Sequence, residues 1–393
     1  MSTLLEGVRV IDFTSVLSGP ACTQAMAQMG AEVIKVEPLA GDVLRMIGPP
    51  SIGDYSPHFV HANRNKQSVA LDLRDPEAKA ACLALIKSAD VVVENFRPGV
   101  MDKLGFGYEA LRESHPELIY ASISGFGESG PWRDMRAYDS MIQALSGFMH
   151  LQGAGDEPQL VQCAIADKLT GRATFEAILA ALFARERGKG GQKISVSMLS
   201  AYITFMLQDC MREHTFLDWE GDARGVNAHV KFKTKDGWIS FLFIQIEEYH
   251  GFFRACGRED LTADPRFAGR DTIRANFEAW KSEMQAIIGT WVTAELIEVT
   301  RRHQLPVAPV LSVREMLEFE QVVHNEVFVE RDLGPGVGRI RYMNGPWTFS
   351  GAGLAPIADP PHLGENTVSA LAYVGVPADQ AQALVQRGAA KQA

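Results

Sequence analysis

The chain has 393 residues, of which 46% are hydrophobic and 22% charged, with a formal net charge of −10 at pH 7. That length suits two domains better than one very large core, and the composition is that of an ordinary globular protein. The acidic balance excludes a general nucleic-acid or anionic-membrane binder, while a locally basic cleft for an anionic ligand stays open.

The first two hundred residues alternate short β-branched runs with helical patterns. Val8 to Phe13 reads as a buried strand, Pro20 to Met29 as the helix after it, and Val33 to Glu37 as a strand entered through Gly30. Ser68 to Leu73 is the next strand, followed by a helix from Pro76 to Ser88 with proline at an early position. Asp90 to Glu94 and Leu118 to Ser124 are further strands. Near-continuous apolar strands alternating with helices predict an α/β fold, a parallel sheet covered on both faces. A helix is expected over Ala173 to Arg187, stopped by Gly188-Lys189-Gly190-Gly191, then a strand at Ile194 to Met198 and a helix from Leu199 to Arg212.

Around Glu220 to His229 the composition turns polar without an apolar period, which reads as a linker. Phe232 to Phe241 reads as a hairpin with a two-residue Asp236-Gly237 turn. Helical patterns run from Glu247 to His303, and Leu305 to Val310, broken by Pro306 and Pro309, reads as a return linker. Phe328 to Arg331 and Arg339 to Tyr342 form a β-ribbon about Gly334-Pro335-Gly336, and the tail from Ala378 is helical at best.

Several features bear on function. The five cysteines (Cys22, Cys82, Cys163, Cys210, Cys256) are scattered with no CxxC pair, the pattern of reduced thiols in a cytoplasm, and they argue against structural zinc. The histidines form no HxxxH pair, so no metal site is expected; His229 is the one to watch. No secretory signal and no membrane span is read: Val8 to Phe13 is too short and strand-like, and Ala177 to Ala184 is bounded by charge. Gly125-Phe126-Gly127-Glu128-Ser129-Gly130 fits GxGxxG after a strand, but Pro131 follows where a nucleotide fingerprint needs a helix. It reads as a glycine-rich loop near some ligand.

Arg64, Lys66, Arg74, Arg97 and Lys103 fall in or near loops that leave strands, where an open parallel sheet places its ligand crevice. Glu94-Asn95-Phe96-Arg97-Pro98-Gly99 offers an amide, an aromatic ring and a cation at one strand end. Two carboxylates, Asp139 and Asp167, stand at the starts of apolar helices, a position where backbone N–H groups and the helix dipole favour the ionised form. Both read as helix N-caps unless the surrounding residues say more.

They do. Gly7-Val8-Arg9-Val10-Ile11-Asp12-Phe13-Thr14, Gly19-Pro20-Ala21-Cys22-Thr23-Gln24, Gly30 to Glu37, Asn65 to Leu73, Val93 to Gly99 and Lys103-Leu104-Gly105 occur in that order. Together they resemble the class III coenzyme A transferases, the family of formyl-CoA transferase. The likeness is close over residues 1 to about 207 and moderate from Pro306 to Leu371, including Leu363-Gly364-Glu365-Asn366-Thr367. It implies a Rossmann-like large domain built from both chain ends, 1–215 and 311–393, and a smaller α+β domain with linker over 216–310. It also implies an interlocked homodimer, acyl-CoA and a carboxylic acid as substrates, and no tightly bound cofactor.

The resemblance makes Ala166-Asp167-Lys168-Leu169-Thr170-Gly171 the element that carries the nucleophile, Asp167. On this reading Asp167 forms aspartyl anhydride and aspartyl-CoA thioester intermediates, and N–H groups at its helix start stabilise the oxyanions. Residues matching the family's CoA contacts are Val16, Leu71, Asn95, Phe96, Leu104 and Met198, with Arg74, Lys103 and Arg136 keeping positive charge near the phosphates. Pro38 departs from an arginine of formyl-CoA transferase. Leu17 replaces a glutamine of that enzyme's acyl pocket, and its glycine run is missing from Arg224 to Lys231, which disfavours oxalate as acceptor.

Two rival readings share the fold. An α-methylacyl-CoA racemase would need histidine where Tyr138 stands, and an unperturbed phenol, with pKa ~10, is a poor base at neutral pH. Tyr138 then lines the substrate pocket and Asp139 supports the site. A CoA-binding protein without catalysis would have no use for Asp167.

Overall fold

A computed structural model describes residues 2–48, 51–152, 157–208, 210–211, 214–218 and 230–393. The whole polar stretch 220–229, with His229, and most of 224–231 lie outside the described residues. The chain divides into two compact units, Met1–Met211 with Glu326–Ala393, and Arg212–Asn325.

The first unit is built on a parallel sheet of β1 (Arg9–Asp12), β2 (Glu32–Glu37), β3 (Lys66–Leu71), β4 (Val91–Glu94), β5 (Ile119–Ser124) and β6 (Lys193–Ser197). Their spatial order is β3-β2-β1-β4-β5-β6, with every neighbouring pair parallel. This is the doubly wound order whose direction reverses between β1 and β4. The strands are apolar on both faces because each face has its own core. Ile11, Ile34, Val69 and Val92 pack on the side of the helix Pro76–Lys87. Val10, Val33, Val91 and Val93 pack on the other, beneath the helices Ser18–Gln28 and Ile165–Ala184. The C-terminal tail forms the helix Ala378–Gln386, then a short strand, Ala390–Lys391, pairs antiparallel with β3.

Several boundaries differ from expectation. The helix expected from Ala173 begins at Ile165, two turns earlier, so Asp167 lies inside its first turn. The helix expected to reach Arg212 spans Met198–Met206.

The second unit carries an antiparallel sheet of β7 (Val230–Lys233), β8 (Trp238–Phe241) and β9 (Val307–Pro309). An aromatic core of Phe232, Phe241, Phe252 and Trp280 lies against it. The expected Asp-Gly turn is absent: Lys233 pairs with Trp238, leaving four residues between, and neither Asp236 nor Gly237 has positive φ. Asp236 instead accepts the Thr293 N–H at 2.8 Å, capping the helix Thr293–Arg302. The expected return linker is strand β9; it lies at the sheet edge, where proline is tolerated. No helix among the described residues is long and apolar enough to cross a membrane.

Candidate active site

Where β1 and β4 lie side by side, the segments leaving their carboxyl ends diverge and open a crevice. A cavity of about 240 Å³ occupies it. Ser15, Val16 and Ser18 contribute from beyond β1, Asn95 to Pro98 from beyond β4, and Ser124 and Gly125 from the end of β5. Arg133, Arg136 and Tyr138 close one side, and Asp167 and Met198 complete the wall.

Asp167 is the only carboxylate lining this cavity among the described residues. Its position follows from helix packing. Gly171, one turn on and on the same helix face, lies so close to the helix Ser18–Gln28 that a Cβ there would fall 2.5 Å from the Ser18 carbonyl oxygen. Glycine therefore lets the two helices close and brings Asp167 against Ser18. Burial pushes the Asp167 carboxyl up to about 6; the Asp139 charge adds to the rise, and hydrogen bonding from Ser18 opposes it.

The helix-cap expectation needs correction for both aspartates. Asp139 is the first residue of the helix Asp139–Leu145, yet its carboxylate caps the other helix. Its Oδ2 accepts the N–H groups of Ala166 at 2.6 Å and Asp167 at 3.2 Å, and Oδ1 accepts from Gln143 Nε2 at 2.5 Å. The Ile165 and Lys168 N–H groups donate to the Cys163 and Ala164 carbonyls. The N–H groups of this first turn are thus all engaged, so they neither hold Asp167 ionised nor stand free for an oxyanion. Burial wins, and the carboxyl rises.

The β1 loop is held in an unusual conformation. Val16 has φ 63, a region that costs a β-branched residue on the order of 1–3 kcal/mol. Its N–H donates to Asp42 Oδ1 at 3.2 Å. The Asn95 amide clasps Ser15, accepting its N–H at 2.9 Å and donating to its carbonyl at 2.8 Å. Beneath the loop lies a buried charge network. Lys66 Nζ is 3.0 Å from Asp12 Oδ2, and Lys35 Nζ is 2.9 Å from Asp42 Oδ2. Burial alone would raise the Asp12 carboxyl, but the Lys66 and Lys35 charges hold it down at about 2.

Of the residues expected at the site, Val16, Asn95, Phe96, Arg136, Tyr138, Asp167 and Met198 line one cavity. Others stand elsewhere. Leu71 is buried in the core beside the helix Pro76–Lys87, and Leu104 packs on that core. Leu17 packs with Leu44, Tyr55, Phe59 and Tyr342. Arg74 is exposed and pairs twice with Asp72, at 2.8 Å each. Lys103 is exposed on the short helix Val100–Leu104, and Asp139 stands behind Asp167.

Sequence reasoning missed Ser15, Ser18 and Arg133 as parts of the wall, while Gly125, from the glycine-rich loop expected near a ligand, does line it. A Cβ at Gly125 would sit 2.2 Å from that of Ala137, so glycine lets the Arg136–Tyr138 segment approach β5. Glu94 was also missed as an unusual carboxyl. It accepts from the Ser122 hydroxyl and, at 2.8 Å, from the Phe96 N–H, and burial pushes it up to about 7.

The fold and cavity define an α/β protein whose switch-point cavity is lined, among the described residues, by one carboxylate. The chain belongs to CoA-transferase family III, whose family model matches residues 5–367, and it is an enzyme of that class. It is 36% identical over 338 residues to acetyl-CoA:oxalate CoA-transferase of Acetobacter aceti, covering 83% of this chain and 85% of that protein. It is 32% identical over 370 residues to succinyl-CoA:glutarate CoA-transferase of Mus musculus, covering 92% and 84%. Among solved structures, a CAIB/BAIF family protein from Brucella suis aligns with TM-score 0.84 and 30% identity over 95% of this chain and 100% of that one.

Proposed function

We propose that this enzyme moves CoA from an acyl-CoA donor to a carboxylic acid acceptor, with Asp167 as nucleophile. The observation that carries the reading is a carboxylate, the only one lining the cavity among the described residues, in a wall that also presents Arg97, Arg133 and Arg136. An Asp167 oxygen attacks the thioester carbonyl, the C–S bond breaks, and a mixed anhydride and CoA thiolate form. The thiolate attacks the Asp167 carbonyl carbon, releasing the donor acid and leaving an aspartyl-CoA thioester. The acceptor carboxylate displaces the thiolate to form a second anhydride. The thiolate then takes the acceptor acyl group and regenerates the carboxylate.

The environment of Asp167 suits this chemistry. A carboxylate raised to about 6 is still ionised above pH 7, and its higher basicity makes it the stronger nucleophile. Partial burial also keeps water from the anhydrides. Asp139 serves as a supporting carboxylate, its oxygens committed to the helix start and to Gln143. Arg136 and Lys103, whose side chains make no hydrogen bond or ion pair with other described residues, are proposed to meet the CoA phosphates. Val16, Phe96 and Met198 supply apolar wall beside the pantetheine arm. The working form is taken to be the interlocked homodimer, acting in the cytoplasm. Exposed apolar side chains such as Leu145, Leu151, Phe183 and Phe205 support a partner surface.

Incubation with an acyl-CoA and hydroxylamine, followed by peptide mass spectrometry, tests the nucleophile. A hydroxamate on Asp167, together with loss of transfer in Asp167→Ala, is the expected result; transfer near wild type in that variant would sink the mechanism. Exchange of the α-proton without label on Asp167 would point to a racemase, and neither outcome would leave a CoA-binding protein. A panel of donors against oxalate, glutarate and monocarboxylates identifies the substrates, and light scattering identifies the dimer.

A further inference from the structure

We propose that Asp42, which lies outside the cavity, is a positioning residue for acyl-CoA, acting through the backbone of Val16. The inference takes its kinetic readout from the transferase reading; its argument is geometric. Val16 is part of the cavity wall beside Ser18 and Asp167, and it stands at φ 63, which a β-branched residue leaves unless it is held. The residues before it are anchored separately. Thr14 gives its N–H and hydroxyl to Asp12 and its carbonyl to Lys35, and Ser15 is clasped by Asn95. At Val16 itself the hold is the N–H donated to Asp42.

Asp42 is built to stay in place. It is 4% exposed, its own N–H donates to Glu37 at 2.8 Å, and the same Oδ1 that holds Val16 also takes the Leu44 N–H at 2.9 Å. Lys35 pairs with its other oxygen and with the Thr14 carbonyl, so one buried cation ties the acid to the loop that the acid supports. Without Asp42, Val16 returns to negative φ and the wall changes shape next to the nucleophile. Asp42 touches no reacting atom in this account.

The test is a double-mutant cycle on the full chain, reading KM and kcat for acyl-CoA and the dissociation constant of CoA by calorimetry. Glycine adopts positive φ freely, so Val16→Gly removes the strain that Asp42 opposes. Asp42→Ala is expected to weaken CoA binding and raise KM by about tenfold or more in the Val16 background, with kcat changed less, and by less than about threefold in the Val16→Gly background. Equal losses in both backgrounds would show that Asp42 acts through Lys35 and the fold, and would overturn the proposal. So would the absence of any loss with Val16 present. Asp42→Asn, which keeps an uncharged acceptor of the same shape, goes through the same cycle should the alanine variant not fold; its loss should be about threefold and confined to the Val16 background. A wild-type chain that neither binds CoA nor transfers it would instead remove the transferase reading.

Discussion

The two halves of the sheet treat charge in opposite ways. Within β1, β2 and β3 and just after β2, Asp12, Lys35, Glu37, Asp42, Arg45 and Lys66 are all buried and all paired with one another. Beyond β4 and β5, Arg97, Arg133 and Arg136 are exposed. Arg97 and Arg136 make no side-chain hydrogen bond or ion pair with other described residues, and Arg133 has only its neighbour Asp134 at 3.5 Å. Charge satisfied inside the protein fixes shape, because a buried ion tolerates only the geometry that pairs it. Charge left open at a cavity rim is available to a ligand. The cavity lies where the two halves meet, with one wall rigid and the other receptive.

The largest break in this comparison comes from the paired half. Asp12→Ala leaves Lys66 and Lys35 buried without their shared anion and should cost about 3–5 kcal/mol in urea unfolding. A cost below about 1 kcal/mol would mean that the network adds little to the fold, and the contrast would fail.

Asp167 gives the next effect, opposite in sign. Its folded-state carboxyl lies at about 6, above its ordinary 3.8. The folded chain therefore favours the protonated form, and stability falls as pH rises from about 4 to about 6. Above that window the ionised carboxyl carries its full penalty. Asp167→Asn should abolish transfer yet stabilise the protein by on the order of 1–3 kcal/mol at neutral pH, with little change near the ordinary carboxylate pKa. Thermal unfolding of both proteins across this range checks it; a gain that does not vanish in acid would assign the effect to packing rather than charge. The wild-type rate should also fall as pH drops through about 6, as the nucleophile is protonated.

Much of the sheet and its covering helices was legible in sequence, and the reason is local. Val91-Val92-Val93 declares a strand buried on both faces, and the apolar spacing from Ala173 declares the helix that packs under it, although not its earlier start at Ile165. Long-range commitments were not legible. Asp139 caps another helix by accepting the Ala166 N–H, 27 residues away, and nothing local distinguishes that from capping its own helix. Asp236 reaches Thr293 across 57 residues and so displaces the turn that Asp-Gly prefers. Positive φ at Val16 runs against its own propensity and exists only because Asp42 and Asn95 hold the loop. Pro306 and Pro309 read as breakers, since an edge strand cannot be told from a linker without its neighbour β8.

The receptive half should show the smallest change in stability. Arg97→Ala and Arg136→Ala remove exposed side chains without partners among the described residues, so unfolding should shift by no more than about 0.5 kcal/mol. Their effect belongs to the ligand. Each should raise KM for acyl-CoA by roughly tenfold, and the wild-type KM should climb with added salt as exposed charges are screened. Arg74 supplies the contrast within the same chemistry. Its guanidinium is already paired with Asp72 and stands clear of the cavity wall, so a CoA phosphate would have to displace that carboxylate. Arg74→Ala should therefore change KM less than Arg97→Ala does, and should leave more of the salt dependence intact. If Arg74 proved the more costly loss, the ligand would extend over β3 rather than β4. Exposure without a partner would then no longer identify the groups that wait for it.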